Sequence, residues 1–244
     1  MALNKNGTGY MYGFALLITL VCGVLLALVS EATKDARETN VKVEKMSNIL
    51  ATVNYTFEKG TPNADIENAY RTLITEVVVN KEGETKDGVS AFNVDLKEEQ
   101  TAQRNNPEYD KNLAVFIFTD PNSNEKFYVV PMRGNGLWGP VWGYLSVKSD
   151  FETVYGVKFD HEGETPGLGA EITKDWFQAQ FPAKKVFSND GNVALKILKG
   201  KGNQLDDYSV DGISGATITG TGVNNMIKAD LAEYVPYFNK QKNS

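Results

Sequence analysis

The feature that most constrains this chain is an uncharged stretch near its amino terminus. Residues 10–30, YMYGFALLITLVCGVLLALVS, contain no acidic or basic side chain. At 1.5 Å per residue, a helix of this length spans about 30 Å, the thickness of a bilayer's hydrocarbon core. We therefore predict one transmembrane helix over residues 10–30, preceded by a short amino-terminal tail of residues 1–9.

Two alternatives remain open for this stretch. Residues 30–32, Ser-Glu-Ala, form a small-x-small site at which a signal peptide could be cleaved, although the stretch is longer than the apolar part of most signal peptides. A lipid anchor on Cys22 fits less well, because Val21 stands where a small residue is wanted. A transmembrane helix explains the pattern best.

Charge gives a weak indication of orientation. Lys5 precedes the stretch, whereas four basic residues follow it closely, Lys34, Arg37, Lys42 and Lys45. The positive-inside rule would place the remainder of the chain in the cytoplasm, but long domains cross membranes largely regardless of charge.

Composition limits the chemistry of the remaining chain. The whole chain has 41% hydrophobic and 23% charged residues, which is typical of a folded protein, and its net charge of −6 leaves no basic surface for nucleic acid. Cys22 and His161 are the only cysteine and histidine, so the chain alone can build neither a disulfide, a cysteine-ligated zinc site nor an iron–sulfur cluster. Redox chemistry would therefore need an organic cofactor or ligands from a partner, and we predict no metal site.

Beyond the membrane segment the pattern predicts a stalk over residues 31–60 and a single α+β domain over residues 61–244. Thr61-Pro62 opens a helix whose apolar face holds Ile66, Tyr70, Leu73, Ile74 and Val77. Runs of β-branched and aromatic residues predict a mostly antiparallel sheet of strands 113–119, 126–132, 141–148 and 153–159. The pattern further predicts a helix at 176–180, a strand near 193–198 and a last helix over 222–239. Pro236 would kink or end that last helix.

One motif, Asp211-Gly212-Ile213-Ser214-Gly215-Ala216-Thr217, ends in a threonine that we predict to lie just before the last helix. The first N–H groups of a helix have no intrahelical partner, and the helix dipole is positive there, so anions bind at such a place. Glycines let a phosphate approach the backbone. The same string also fits an ordinary turn that caps a helix.

Two glycine-rich strings in the sheet region are candidates for binding a planar ligand. In residues 133–143, RGNGLWGPVWG, Leu137 or Trp138 could cover a ring, although a tight turn before a core strand explains the string equally well. In residues 161–170, HEGETPGLGA, a type II turn at Pro166-Gly167 would present Glu164, Thr165 and Leu168 on one loop. His161 alone is more often structural than catalytic.

These strings, in this order after one membrane helix, resemble the C subunit of the sodium-translocating NADH:quinone reductase over nearly the whole chain. The G subunit of the Rnf complex, which shares the FMN-binding domain, is the nearest alternative. D-x-x-S/T-G-A-T resembles the acceptor sequence of a flavin transferase, so the resemblance implies an FMN-binding domain with FMN esterified through its phosphate to Thr217. Thr219 is a lesser alternative.

The resemblance also implies a role and a location. The chain would relay electrons between other membrane and peripheral subunits on the way from NADH to ubiquinone in a sodium-pumping complex, without being catalytic alone, and it shows no G-x-G-x-x-G that opens a dinucleotide-binding unit. It would be a single-pass protein of the bacterial inner membrane with its domain in the periplasm. A stand-alone anchored FMN carrier, or a non-redox anchored binding domain, remains open. The implied cofactor-binding residues are Asp211, Gly212, Ser214, Gly215, Ala216, Thr217, Leu137, Trp138, Glu164, Thr165, Leu168 and Gly169.

Overall fold

The computed structural model describes residues 7–243, so most of the predicted amino-terminal tail lies outside the described residues. The chain divides into two compact units, the first ending at Lys45 and the second beginning at Met46. The first unit consists of helix α1, Thr8–Ala32, and most of helix α2, Lys34–Ala51.

Helix α1 has the length and composition of a membrane-spanning helix. It has 25 residues, none of which is buried, and Leu, Val and Ile side chains are exposed around it. Among residues 7–243 it alone is long and apolar enough to cross a bilayer. An exposed apolar surface of this kind is stable in lipid rather than in water.

The second unit is built on a five-stranded antiparallel sheet. Its strands are β1 (Ile74–Val79), β2 (Leu113–Thr119), β3 (Lys126–Asn135), β4 (Pro140–Val147) and β5 (Val154–His161). They lie in the order β1-β2-β3-β4-β5, so each strand pairs with the next along the chain. The predicted α+β class, with an antiparallel sheet and flanking helices after one apolar helix, is confirmed.

Both faces of this sheet are buried, which explains why its strands read as nearly continuous apolar runs. In β2, Leu113 and Val115 point into one hydrophobic cluster, whereas Ala114 and Phe116 point into another. Successive side chains of a strand face opposite sides of a sheet. The two clusters are therefore separate cores on the two faces of the sheet.

Helices and short elements cover these faces. They are α3 (Asn63–Leu73), α4 (Leu96–Asn105), α5 (Asp175–Gln178) and α6 (Thr217–Lys242), with 3₁₀ turns at Ala91–Asn93 and Gly169–Thr173 and a parallel pair of short strands, β6 (Lys196–Ile197) and β7 (Ser209–Val210). The buried apolar side chains of α6, among them Val223 and Leu231, belong to the core that contains Leu113, and Tyr70 of α3 belongs to the core that contains Phe116.

The predicted helix after Thr61-Pro62 is shorter than its apolar pattern indicated. Helix α3 ends at Leu73, and Ile74 and Val77 belong to strand β1, where they pair with Phe118 and Val115. Pairing with β2 overrides the helical spacing, because it gives the backbone of β1 a sheet partner. Thr61 is not the cap either, since its hydroxyl donates to Glu58 O at 2.8 Å.

The last helix is longer than predicted at both ends. It begins at Thr217, so Thr217 is the first residue of α6 and does not precede the helix. The sequence predicts a start at Gly222, because glycine destabilises the interior of a helix. In the structure Gly222 lies inside α6, where it packs against the carbonyl of Asn135 and no side chain would fit. The helix also continues past Pro236 to Lys242, so Pro236 does not end it.

Candidate functional site

The first part of the site is the tip of the β3–β4 hairpin. Gly136 N–H donates to Gly139 O at 2.8 Å, which closes a tight turn around Leu137 and Trp138. The Trp138 side chain is 68% exposed and Leu137 is 49% exposed. A tryptophan held outside the core at a hairpin tip offers an aromatic face to a ligand or a partner.

The second part is the loop that follows strand β5. Leu168 N–H donates to Thr165 O at 3.1 Å, and Gly167 has a φ of 77°, so Pro166-Gly167 forms the predicted type II turn. The turn leaves Leu168 exposed. At the start of the loop, Glu164 N–H donates to His161 Nδ1 at 3.1 Å. That contact gives His161 a structural role as a hydrogen-bond acceptor.

Glu164 joins these two parts to helix α6. Its carboxylate accepts from Trp138 N–H at 2.8 Å and from the Thr219 hydroxyl at 2.6 Å. Glu164 is only 4% exposed and Thr219 only 1%. We call this arrangement of Glu164, Trp138 N–H and the Thr219 hydroxyl the Glu164 clamp.

The third part is the amino-terminal end of helix α6. Ala216, before the helix, offers no side-chain cap, and the first intrahelical bond there runs from Gly220 N–H to Ala216 O at 2.9 Å. The N–H groups of Thr217, Ile218 and Thr219 come before that bond, as expected of a first helical turn. Gly215 has a φ of 80°, in the left-handed region that glycine adopts without strain. Thr217 is exposed, and as the first residue of α6 it lies at the positive end of the helix dipole.

The three parts enclose one open cavity of about 270 Å³. Its rim has four exposed apolar side chains, and its remaining lining is mostly polar or glycine. The lining residues are Leu137, Trp138, Glu164, Thr165, Leu168, Gly169, Gly215, Ala216, Thr217, Ile218 and Thr219. Ligand pockets of folded proteins have volumes of roughly 300–1,000 Å³, so this cavity suits a ligand that stays partly exposed.

The first half of the sequence motif lies elsewhere. Asp211 accepts from Gly202 N–H at 2.8 Å and from both nitrogens of Asn203, and these bonds hold its pKa below the ordinary value. Gly212 packs against Leu198 O, where a side chain would collide. Neither residue lines the cavity, nor does the exposed Ser214. Asp211 and Gly212 fix the motif to the 198–203 loop.

Two residues of the cavity wall were not predicted from the sequence as binding residues. Ile218 is 58% exposed on the rim, and the buried Thr219 enters the sequence argument only as an alternative attachment residue. Ile218 could have been inferred from its position, because it is an apolar residue directly after the motif's threonine. For Thr219 there is no such signal, because its partner Glu164 is 55 residues away in sequence.

Comparisons with known proteins first define the class of protein to which this chain is similar. The FMN-binding domain family matches residues 136–232, which include the hairpin tip, the loop after β5 and the start of α6. This match defines the class as proteins with an FMN-binding domain, and all of the residues that line the cavity fall within the matched region.

Relatives of nearly full length define the family. The C subunit of the Na(+)-translocating NADH-quinone reductase of Haemophilus ducreyi is 32% identical over 92% of this chain and 90% of its own length. The protein of the same name from Neisseria meningitidis serogroup A is 31% identical over 94% of this chain and 92% of its own length. This chain belongs to the family of C subunits of the Na(+)-translocating NADH-quinone reductase, as its motifs predicted.

Solved structures agree with this assignment. The crystal structure of the C subunit from Parabacteroides distasonis has a TM-score of 0.71 at 35% identity and covers 84% of this chain and 96% of its own. That of Shewanella oneidensis NqrC has a TM-score of 0.70 at 26% identity, over 84% of this chain and 100% of its own.

Proposed function

We propose that this chain carries FMN covalently on Thr217 and relays electrons within a sodium-translocating NADH:quinone reductase. The observation that carries the proposal is the position of Thr217. This exposed residue ends a complete Asp-Gly-Ile-Ser-Gly-Ala-Thr motif and lines the cavity within the matched FMN-binding domain. FMN, when bound, supplies reversible one- and two-electron chemistry.

The residues present fit FMN at both of its ends. The uncapped first turn of α6 offers N–H groups and a positive dipole end to a phosphate, and Gly215 keeps the approach free of a side chain. Lys199 lines a small cleft shared with Thr217. Leu137, Trp138 and Leu168 offer apolar surface to the ring.

Thr217 suits attachment better than Thr219 does. Thr219 is 1% exposed, and its hydroxyl is already donated to Glu164. Attachment there would break the Glu164 clamp and require a buried phosphate, whereas Thr217 is an exposed residue.

Attachment would be a phosphoryl-group transfer from FAD by a flavin transferase. The Thr217 oxygen bonds to the phosphorus on the FMN side of the pyrophosphate, the bond from that phosphorus to the AMP oxygen breaks, and the hydroxyl proton is released. AMP leaves, and no redox change occurs. Asp211, held by Gly202 and Asn203, supports the motif from outside the cavity.

A phosphate tether suits a relay, because the flavin is retained in every redox state and the ring contacts need not supply the affinity. An open cavity of this size would leave a bound ring partly exposed, and electron exchange with another cofactor needs such exposure. We propose as partners the other subunits of the complex. The resemblance favours an inner-membrane location with the domain in the periplasm, and an alkaline phosphatase fusion at the carboxyl terminus would be active only in that orientation.

Peptide mass spectrometry tests the attachment. We expect protein coexpressed with the transferase to yield a peptide with FMN on Thr217, and Thr217→Ala to lose the flavin fluorescence that survives denaturing gels. Thr221→Ala is the matched control, since Thr221 is exposed one turn further along the same helix. Persistent fluorescence in Thr217→Ala, or its loss in Thr221→Ala, would contradict the assignment.

A stand-alone electron carrier is the second candidate. It shares the cavity and the tether, and it predicts an active flavoprotein that purifies without multi-helix membrane subunits. Relatives that are named as the C subunit of the reductase, and that match more than 90% of the chain, favour the complex.

A further inference from the structure

The Glu164 clamp places a negative charge inside the protein without a cation beside it. None of the ion pairs among residues 7–243 includes Glu164. His161 cannot supply the charge while its Nδ1 accepts the N–H of Glu164, because that nitrogen then carries a lone pair. Within the described part of the chain, the carboxylate oxygens accept from two neutral donors only, Trp138 N–H and the Thr219 hydroxyl.

Two glycines fix where this charge lies. A Cβ on Gly136 would collide with Glu164 Oε1, and a Cβ on Gly169 would collide with Glu164 Oε2. Gly169 and Glu164 both line the cavity. The carboxylate is therefore closely surrounded at the wall of the cavity, where it has little freedom to turn toward water.

We infer that Glu164 is a positioning residue that also lowers the midpoint reduction potential of the flavin. It holds the Trp138 turn against helix α6, and its fixed charge opposes the arrival of electrons on the neighbouring ring. A charge taken out of water acts more strongly than an exposed one, because the surrounding dielectric is low. The inference rests on the proposed function, since it requires FMN in this cavity.

The test is a spectroelectrochemical titration of the full chain, loaded with FMN by coexpressed transferase and purified in detergent. Glu164→Gln keeps the shape and the capacity to bond to Trp138 N–H and Thr219, but it removes the charge. We expect its midpoint potential to shift to more positive values. Glu162→Gln is the matched control, because Glu162 lies on the same loop but is exposed, so its charge is screened by water. The expected shift for Glu164→Gln is several times that for Glu162→Gln.

Each outcome decides the inference. A wild-type potential in flavin-loaded Glu164→Gln, or equal shifts in the two Gln variants, would overturn it. If Glu164→Gln does not fold by circular dichroism, Glu164→Asp decides, because it keeps the charge but is too short to reach both donors. For Glu164→Asp we expect a midpoint potential near that of the wild type, together with brighter flavin fluorescence because the Trp138 turn is held less firmly. A positive shift of the midpoint potential in Glu164→Asp would overturn the role of charge.

Failure of the proposed function gives a different result. In that case the wild-type chain yields no FMN on the Thr217 peptide, and no potential can be measured for any variant.

Discussion

Gly169 gives the most direct measure of what the Glu164 clamp contributes to stability. In Gly169→Ala the new Cβ would collide with Glu164 Oε2 and lie 2.6 Å from Thr219 Oγ1 and 3.0 Å from Glu164 Cβ. Both neighbours are buried and bonded to each other, so neither can move without breaking the bond between them. We therefore expect the substitution to separate Glu164 from helix α6.

The expected cost follows from two effects. Overpacking a buried site costs about 1–3 kcal/mol, and a lost hydrogen bond to a charged group costs about 1.5–3 kcal/mol. The two overlap in part, so we expect a loss of roughly 2–5 kcal/mol in the free energy of unfolding. Since 1 kcal/mol shifts Tm by about 2–4 °C in a domain of this size, Tm falls by on the order of 10 °C.

Thermal unfolding of the full chain in detergent, followed by near-UV circular dichroism, measures this shift. Gly163→Ala is the matched control, because it lies on the same loop and its Cβ would have only Trp138 O nearby, at 3.9 Å. We expect it to change stability by about 0.5 kcal/mol or less. Equal Tm values for the two alanine variants would refute the reasoning.

The Gly169→Ala substitution in a Glu164→Ala background tests whether Glu164 causes the loss of stability. In Glu164→Ala the carboxylate that the new Cβ would meet is gone, so adding Gly169→Ala costs much less than it does in the wild type. If Gly169→Ala lowers the free energy of unfolding equally in both backgrounds, the collision with the Glu164 clamp is not the cause of the loss.

Two further predictions concern the supports of helix α6 and of the motif. Burial raises the pKa of Asp230 to about 7, so the folded state binds more protons than the unfolded chain between about pH 4 and pH 7, and stability falls as pH rises through that window. Asp230→Asn removes this slope, which urea unfolding at pH 5 and pH 7 would show, and an unchanged slope would refute it. Asp211→Ala frees the Gly202 and Asn203 N–H groups. It therefore lowers Tm and flavin loading more than Asp207→Ala does, and equal effects would exclude this role for Asp211.

The elements that the sequence predicted well are those with a strong local pattern. The strands around Val115, Val129, Leu145 and Val157 lie where β-branched and aromatic runs indicated them, because these side chains suit a sheet whatever their partner. The type II turn at Gly167 was likewise predicted, since it depends only on neighbouring residues.

Other boundaries were wrong because a distant partner decided them. Ile74 and Val77 fit a helical face but belong to strand β1, since strand β2 lies beside them. Gly222 reads as a helix breaker but lies inside α6, where its missing side chain lets the helix approach Asn135. Strand β1 and helix α4 were not predicted at all, because residues 74–79 continue an apolar helical spacing and residues 96–105 are mostly polar.

The sequence by itself determined that this chain has one apolar helix of membrane-spanning length and a motif ending in Thr217. Both features depend only on consecutive residues of the chain. Only the tertiary structure decided that Leu137, Trp138, Leu168 and Thr217 line one cavity while Asp211 does not. It also gave Glu164 its part as the buried link between Trp138 N–H and the Thr219 hydroxyl, 26 and 55 residues away. The physical reason is that a buried carboxylate is stable only where donors meet it, and those donors come from elements that folding alone brings together.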